Sequence, residues 1–189
     1  MKNAAEVEAT TSLLLTGAPG VGKTTLVRRV AEQLGELRPA GFYTEERRDR
    51  AGERVGFDLL GFDGSCATLA RVGLPGPRVG KYGVDAAAVE AAAARLLALD
   101  LEADLYLVDE IGKMECLSGV FVAATRRLLD SRRPVVATVA LKGEGFIAEV
   151  KRRADARLLE VTRANSDSLP GEVLAWIVAR CRLSGPAPD

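Results

Sequence analysis

The chain has 189 residues with 26 basic and 26 acidic side chains, so its formal charge is zero and it lacks the basic excess that binding along a nucleic-acid backbone needs. It contains no histidine, which excludes Ser/His/Asp and Cys/His triads and histidine-ligated metals and leaves acid–base work to carboxylates, lysine, tyrosine or cysteine. Cys66, Cys116 and Cys181 are odd in number, widely spaced and without a C-x-x-C pair, which argues against a disulfide framework and a zinc site and predicts reduced, partly buried thiols.

The length predicts one domain over residues 1–189, able to bury about 70% of the surface its unfolded form would expose. No run approaches the roughly 18 apolar residues of a membrane-spanning helix, and Met1 to Thr11 is too polar for a signal peptide, so a cytoplasmic protein is expected. Residues 1–11 show no periodicity and read as a frayed tail. Residues 184–189, rich in proline, read as a flexible one.

The first element is an apolar strand from Ser12 to Thr16, which runs directly into Gly17-Ala18-Pro19-Gly20-Val21-Gly22-Lys23-Thr24-Thr25. A helix follows from about Lys23 to Leu34, with Leu26, Val27, Val30 and Leu34 on one face and Gly35 as its stop. Gly17, Gly20 and Gly22 permit positive φ and let backbone N–H groups approach phosphate oxygens that a Cβ would obstruct. The helix start points its partial positive charge at the same spot. Lys23 supplies a point charge for β/γ-phosphates, and the Thr24 hydroxyl has the hardness to ligate a Mg²⁺ that bridges them. This is the complete G-x-x-x-x-G-K-T/S pattern, the Walker A motif. With Gly near its usual share of about 7%, the four fixed positions arise by chance in roughly one chain of this length in several hundred.

From Gly41 the texture changes to short β-rich runs, Phe42–Arg48, Glu53–Phe62, Ala67–Val72 and Val79–Val84, broken at Asp49–Gly52, Asp63-Gly64 and Gly73–Pro77. Such spacing predicts an antiparallel hairpin insertion at about 41–84 beside a parallel core. Asp85 then caps an alanine-rich helix with an inward stripe of Val89, Ala93, Leu96 and Leu97. The βα rhythm returns afterwards: strand Leu105–Val108, helix Leu117–Leu129, strand Pro134–Ala140, helix from about Gly145 to Arg153 and strand Arg157–Val161. A polar loop, Thr162–Ser168, leads to a last helix from about Pro170 to Arg182. The alternation implies an α/β, doubly wound, mainly parallel sheet of the P-loop NTPase type, with ligands at the carboxyl ends of the strands.

Strand Leu105–Val108 closes on Asp109-Glu110, where it would leave the sheet on the phosphate side, the place of a Walker B motif. Asp109 would orient the hydration shell of a Mg²⁺ near Thr24. Glu110, one residue further out and the best base in a histidine-free chain, would face the water in line with the γ-phosphate. Lys113 follows in a glycine-containing turn, either as a cation on the γ-phosphate or as a solvated side chain.

The runs Gly-Ala-Pro-Gly-Val-Gly-Lys-Thr-Thr (17–25), Gly-Phe-Tyr-Thr-Glu-Glu (41–46), Arg-Val-Gly-Phe-Asp (54–58), Val-Gly-Lys-Tyr-Gly-Val (79–84) and Asp-Glu-Ile-Gly-Lys-Met-Glu (109–115) occur here in this order. In them the chain resembles the cancer-related nucleoside-triphosphatase family of small P-loop enzymes over about residues 12–170, most specifically at Asp109–Glu115. The resemblance implies slow, Mg²⁺-dependent hydrolysis of several nucleoside triphosphates to diphosphates in an α/β P-loop fold. The position after Glu46 departs from it: Arg47 stands where the family usually has an aliphatic residue, so either Arg47 or Arg48 is left to face the nucleotide.

Thr44, Glu45 and Glu46 either line the far wall of the site or belong to an exposed strand. In the loop 162–168, Arg163 offers stacking and Asn165 amide bonds to a base, unless the loop merely caps the following helix. The clusters Arg126-Arg127, Arg132-Arg133 and Lys151-Arg152-Arg153 read as solvated charge or helix-dipole partners. Two readings compete with an NTP phosphohydrolase: a nucleoside or nucleotide kinase whose acceptor pocket lies in the 41–84 insertion, and a nucleotide-operated switch. A regulatory GTPase is disfavoured because no Asn-Lys-x-Asp run follows the later strands.

Overall fold

In the computed structural model, which describes residues 10–183, strands and helices alternate around a single sheet. In chain order they are β1 (Ser12–Thr16), α1 (Lys23–Ala31), β2 (Pro39–Arg48), β3 (Arg54–Gly61), β4 (Cys66–Val72), β5 (Arg78–Val79), β6 (Tyr82–Val84) and α2 (Ala86–Leu96). There follow β7 (Leu105–Ile111), a 3₁₀ turn (Glu115–Leu117), α3 (Gly119–Leu129), β8 (Val135–Val139), α4 (Phe146–Lys151), β9 (Ala156–Glu160) and α5 (Leu169–Leu183). The sheet runs β5-β6-β4-β3-β2-β7-β8-β1-β9.

Its half from β2 to β9 is parallel and carries helices on both faces, which is why β1, β8 and Leu105–Val108 of β7 are buried on both sides instead of alternating. Strand period two sorts each run into two cores. Leu13, Leu15, Leu105, Leu107 and Val136 pack with Leu26, Val27 and Val30 of α1 and with Val173, Trp176 and Ile177 of α5. Leu14, Tyr106, Val108, Val135 and Ala137 face the other way, towards Val89 and Leu96 of α2, Phe121 and Leu128 of α3 and Ile147 of α4. Full burial of each aliphatic side chain in these layers contributes about 1.5–3 kcal/mol, so the three core residues of α1 anchor that helix more firmly than its nine residues of propensity would.

The hairpin insertion is present, but it is continuous with the core sheet and does not sit beside it. Residues Pro39–Phe42 of β2 pair in parallel with β7, and from Phe42 onward the same strand pairs antiparallel with β3. One strand thus belongs to both halves. The run Val79–Val84 is two strands, because Gly80 adopts φ 61° and turns the chain between them. Asp85 caps α2, its Oδ1 accepting from the Ala88 N–H at 3.0 Å, as expected.

Several expectations at the edges change. Helix α1 ends at Ala31, beyond which Gln33 and Leu34 make tighter i→i−3 bonds to Val30 and Ala31. Residues 1–9 and 184–189 of the two predicted tails lie outside the described residues, but Thr11 is tied into the sheet: its N–H donates to the Asp155 carbonyl and its carbonyl accepts from Val135. Arg153 is not solvated charge; it is largely buried and bonds Asp130, Asp155 and the Leu129 carbonyl. Among the three free cysteines Cys66 is exposed, while Cys116 and Cys181 are partly buried. None of the described helices is long and apolar enough to cross a membrane.

Candidate active site

The carboxyl ends of β1, β7 and β8 converge on the glycine-rich loop that follows β1. The loop is built by backbone constraints. Gly17 lies so close to β9's exit that a Cβ there would come within 2.5 Å of the Val161 carbonyl oxygen, and Gly22 sits at φ 104° where it opens α1. Helix α1 has no side-chain cap and no acidic residue in its first turn, whereas α2 and α3 are capped by Asp85 and Ser118. The backbone N–H groups of Gly20, Gly22, Lys23, Thr24 and Thr25 donate to no protein acceptor among the described residues. A concentration of unpaired donors at a helix N-terminus is the physical signature of an anion site.

Lys23 is buried at 8% exposure. Its ammonium donates to the Gly17 carbonyl at 3.1 Å and lies 3.6 Å from Glu110 Oε2, so one cation ties the loop to the acid pair. Thr24 is half-buried and its hydroxyl has no hydrogen bond among the described residues. Strand β7 runs through the acid pair to Ile111 instead of stopping at Val108, and its register with β8 shifts between Val108 and Ile111. Asp109 is fully buried. Its Oδ1 accepts from the Thr138 hydroxyl at 2.7 Å and its Oδ2 from the Thr44 hydroxyl and N–H at 3.1 and 3.3 Å. No basic side chain among the described residues pairs with it. A buried carboxylate without a cationic partner among the described residues, and a threonine hydroxyl with no hydrogen bond there, are oxygen donors of the kind a divalent cation takes together with phosphate oxygens, and Thr24 and Asp109 would hold it without a protein cage. No group of three or more acids or cysteines among the described residues would hold a metal by itself.

Glu110 is half-buried, and burial pushes its carboxyl above the ordinary range. The Lys23 charge pulls it back down, Asp109 pushes it up, and Lys151 adds a smaller downward pull. Lys151, read from the sequence as solvated charge, is anchored to the Leu141 carbonyl at 2.6 Å on this side of the sheet.

Glu115 is a functional candidate that its place in a polar turn conceals in the sequence. It is 4% exposed and accepts from the N–H groups of Gly112 and of its own residue. A methyl on Gly112 would lie 2.8 Å from Glu115 Oε2 and 3.2 Å from Glu110 Oε1, so both carboxyls close over one glycine. Burial pushes the Glu115 carboxyl up from an ordinary 4.5 to about 8. The folded state therefore keeps a proton that the unfolded chain has released, and the stability tied to it is complete at acid pH and lost as pH rises through about 8. Thermal unfolding between about pH 5 and 9 is expected to show stability falling by a few kcal/mol, because each pH unit over which only the folded chain holds the proton costs about 1.4 kcal/mol. Glu115→Gln should flatten that slope, and an unaltered slope would show that Glu115 is not its source.

Other predicted residues fall differently. Asn165 bonds within its own loop, Oδ1 accepting from the Thr162 N–H at 2.8 Å and Nδ2 donating to the Glu160 carbonyl at 2.9 Å, so its amide shapes the turn and keeps one N–H and one Oδ1 lone pair beyond these bonds. Arg163 is exposed on that loop. Lys113 is exposed, with no hydrogen bond or ion pair among the described residues. Arg47 bonds the buried Asp58, which Arg71 also bonds, and Arg48 bonds Glu46 and the Gly52 carbonyl. Both arginines left open by the sequence are thus engaged inside the hairpin sheet. Thr44 joins the site through Asp109, Glu46 turns instead to Arg48 and Arg54, and Glu45 lies 3.8 Å from Arg47.

The NTPase family model matches residues 12–174. The nucleoside-triphosphatase THEP1 of Thermotoga maritima is 41% identical over 165 residues, which cover 86% of this chain and 93% of that protein. The human cancer-related nucleoside-triphosphatase is 35% identical over 182 residues, covering 87% and 95%. Among solved structures, THEP1 from the hyperthermophile Aquifex aeolicus superposes with a TM-score of 0.80 at 32% identity, covering 88% of this chain and 98% of that one. The solution structure of the human cancer-related nucleoside triphosphatase gives 0.77 at 34% identity, covering 90% and 98%.

Proposed function

The chain belongs to the NTPase family and is a nucleoside-triphosphatase, and on that premise we propose that it is a Mg²⁺-dependent, cytoplasmic enzyme that converts ATP, GTP and other nucleoside triphosphates to diphosphate and phosphate with little regard for the base. The observation that carries the site assignment is the set of N–H groups of Gly20, Gly22, Lys23, Thr24 and Thr25, which have no acceptor among the described residues, on the same loop and helix start as the Lys23 ammonium and the unbonded Thr24 hydroxyl. The loop Gly17, Ala18, Pro19, Gly20, Val21, Gly22, Lys23, Thr24 and Thr25 would wrap the phosphates, and Thr24 with Asp109 would hold the Mg²⁺. A bound Mg²⁺ would supply charge neutralisation to the phosphates.

In the proposed reaction a water oxygen attacks the γ-phosphorus, the bond from that phosphorus to the β-bridging oxygen breaks, and the water proton passes to the Glu110 carboxylate. Lys23 leaves the Gly17 carbonyl for the phosphates and stabilises charge gathering on the bridging oxygen. Lys113 turns its ammonium onto the γ-phosphoryl oxygens. Low base specificity fits a loop in which half of the Asn165 hydrogen-bonding capacity goes to its own turn and the exposed Arg163 offers stacking. Free thiols suit a reducing compartment, and zero net charge gives no reason to expect nucleic acid as a partner.

The test is phosphate release from ATP, GTP, CTP and UTP with Mg²⁺ and no acceptor. Stoichiometric diphosphate and phosphate from all four is the expected result, and Lys113→Ala should lower kcat by about 10- to 1000-fold with KM nearly unchanged. Consumption that requires a nucleoside or nucleotide acceptor would favour the kinase reading. That reading calls for mobile arginines, whereas Arg47, Arg48, Arg54 and Arg71 are all engaged within the hairpin sheet.

A further inference from the structure

The Asp109 carboxylate is held from both sides by neighbouring strands. β8 contributes Thr138, fully buried and the one polar side chain in Val135–Val139, whose hydroxyl reaches Oδ1 at 2.7 Å. β2 contributes Thr44, whose hydroxyl and N–H both reach Oδ2. An ionised carboxylate offers about four lone pairs, two on each oxygen. Oδ2 has both of its own occupied by Thr44, and Oδ1 has one occupied by Thr138. The remaining acceptor capacity therefore lies on Oδ1 alone.

We propose that Thr138 and Thr44 are positioning residues that fix the Asp109 rotamer and leave a single Oδ1 lone pair to meet the Mg²⁺ hydration shell. The inference rests on the reading of Asp109 as the carboxylate that faces the ion. It also gives the hairpin half of the sheet a part in the chemistry, since Thr44 lies on the strand shared by the two halves. Without the hydroxyls a carboxylate on the β7 irregularity keeps its charge but not its direction, and partners of this kind are typically worth about 10- to 100-fold in metal affinity.

The experiment measures Mg²⁺ affinity by calorimetry on the whole chain saturated with a non-hydrolysable ATP analogue, in wild type, Thr138→Val, Thr138→Ser, Thr44→Val and Asp109→Asn. Valine matches threonine in shape and lacks the hydroxyl, while serine restores it. Thr138→Val is expected to weaken Mg²⁺ binding about tenfold or more, with metal-free nucleotide affinity unchanged and Thr138→Ser within about threefold of wild type. Thr44→Val should cause a smaller loss, because the Thr44 N–H remains on Oδ2. Wild-type Mg²⁺ affinity in both valine variants, with Asp109→Asn impaired, overturns the positioning role and leaves the Asp109 assignment standing. Wild-type affinity in Asp109→Asn overturns the assignment itself. Should Thr138→Val fail to fold, the half-exposed Thr44 site decides alone: Thr44→Val with undiminished Mg²⁺ affinity overturns the proposal. Equal losses in Thr138→Ser and Thr138→Val would show that packing, not the hydroxyl, is at work.

Discussion

Lys23→Ala is expected to weaken Mg²⁺·NTP binding and turnover together. Among the described residues the Lys23 ammonium is the one basic group that touches both the loop and the acid pair, through the Gly17 carbonyl and Glu110. A charge-assisted bond to phosphate contributes about 1.5–3 kcal/mol, which corresponds to roughly 10- to 100-fold in affinity. Loss of a charge aimed at the developing anion should cost about another 10²–10³ in kcat. The fold should survive, since α1 is held by Leu26, Val27 and Val30 and not by the ammonium. Calorimetry with a non-hydrolysable analogue, phosphate release and a thermal melt separate the three effects. Affinity and kcat both at wild-type level would remove the phosphate cradle from consideration.

Much of the candidate site's local geometry is legible in the sequence because its parts are close together there. The loop after β1 needs glycine, lysine and threonine at fixed spacing, and an uninterrupted apolar strand before it places them, so β1 falls on Ser12–Thr16 as read. The two-core division likewise follows from period-two alternation within each strand. What the sequence conceals is burial and pairing, most of it long-range. Thr138 contacts Asp109 across 29 positions, and its only local sign is a hydroxyl in an otherwise apolar strand. Arg153 looks like exposed charge until Asp130 and Asp155 are brought beside it. Glu115 looks like one more acid in a polar turn, yet its carboxyl folds back onto the Gly112 N–H and is buried there. Asn165 shows the opposite case: asparagine can bond its own turn as readily as a ligand, and here Oδ1 accepts from the Thr162 N–H. The joining of hairpin and core through β2 was hidden because a single strand can pair in parallel on one edge and antiparallel on the other without any change in composition.

Glu110→Gln is expected to leave Mg²⁺·NTP binding intact and to lower hydrolysis by about 10²–10⁴-fold, the size of a general-base contribution. The substitution keeps the shape of the side chain and one acceptor oxygen, but it removes the charge that draws the proton from the attacking water. The geometry adds a reason for Glu110 to act only when substrate is present. With Lys23 at 3.6 Å the Glu110 carboxylate is partly neutralised, and Lys23 is the main influence opposing the upward push of burial. In the proposed site, phosphates that draw the ammonium away would weaken that opposing charge and make Glu110 the stronger base. Affinity for NTP should if anything improve in Glu110→Gln, because a negative charge beside the phosphates is lost. Asp109→Asn should instead raise the Mg²⁺ requirement, since that carboxylate has no cationic partner among the described residues and in the proposed site would meet the metal shell. Phosphate release measured against both NTP and Mg²⁺ concentration distinguishes the two neighbours. Hydrolysis at the wild-type rate in Glu110→Gln would mean that no carboxylate at this position activates water, and transfer to an acceptor hydroxyl deprotonated elsewhere would then account better for the site.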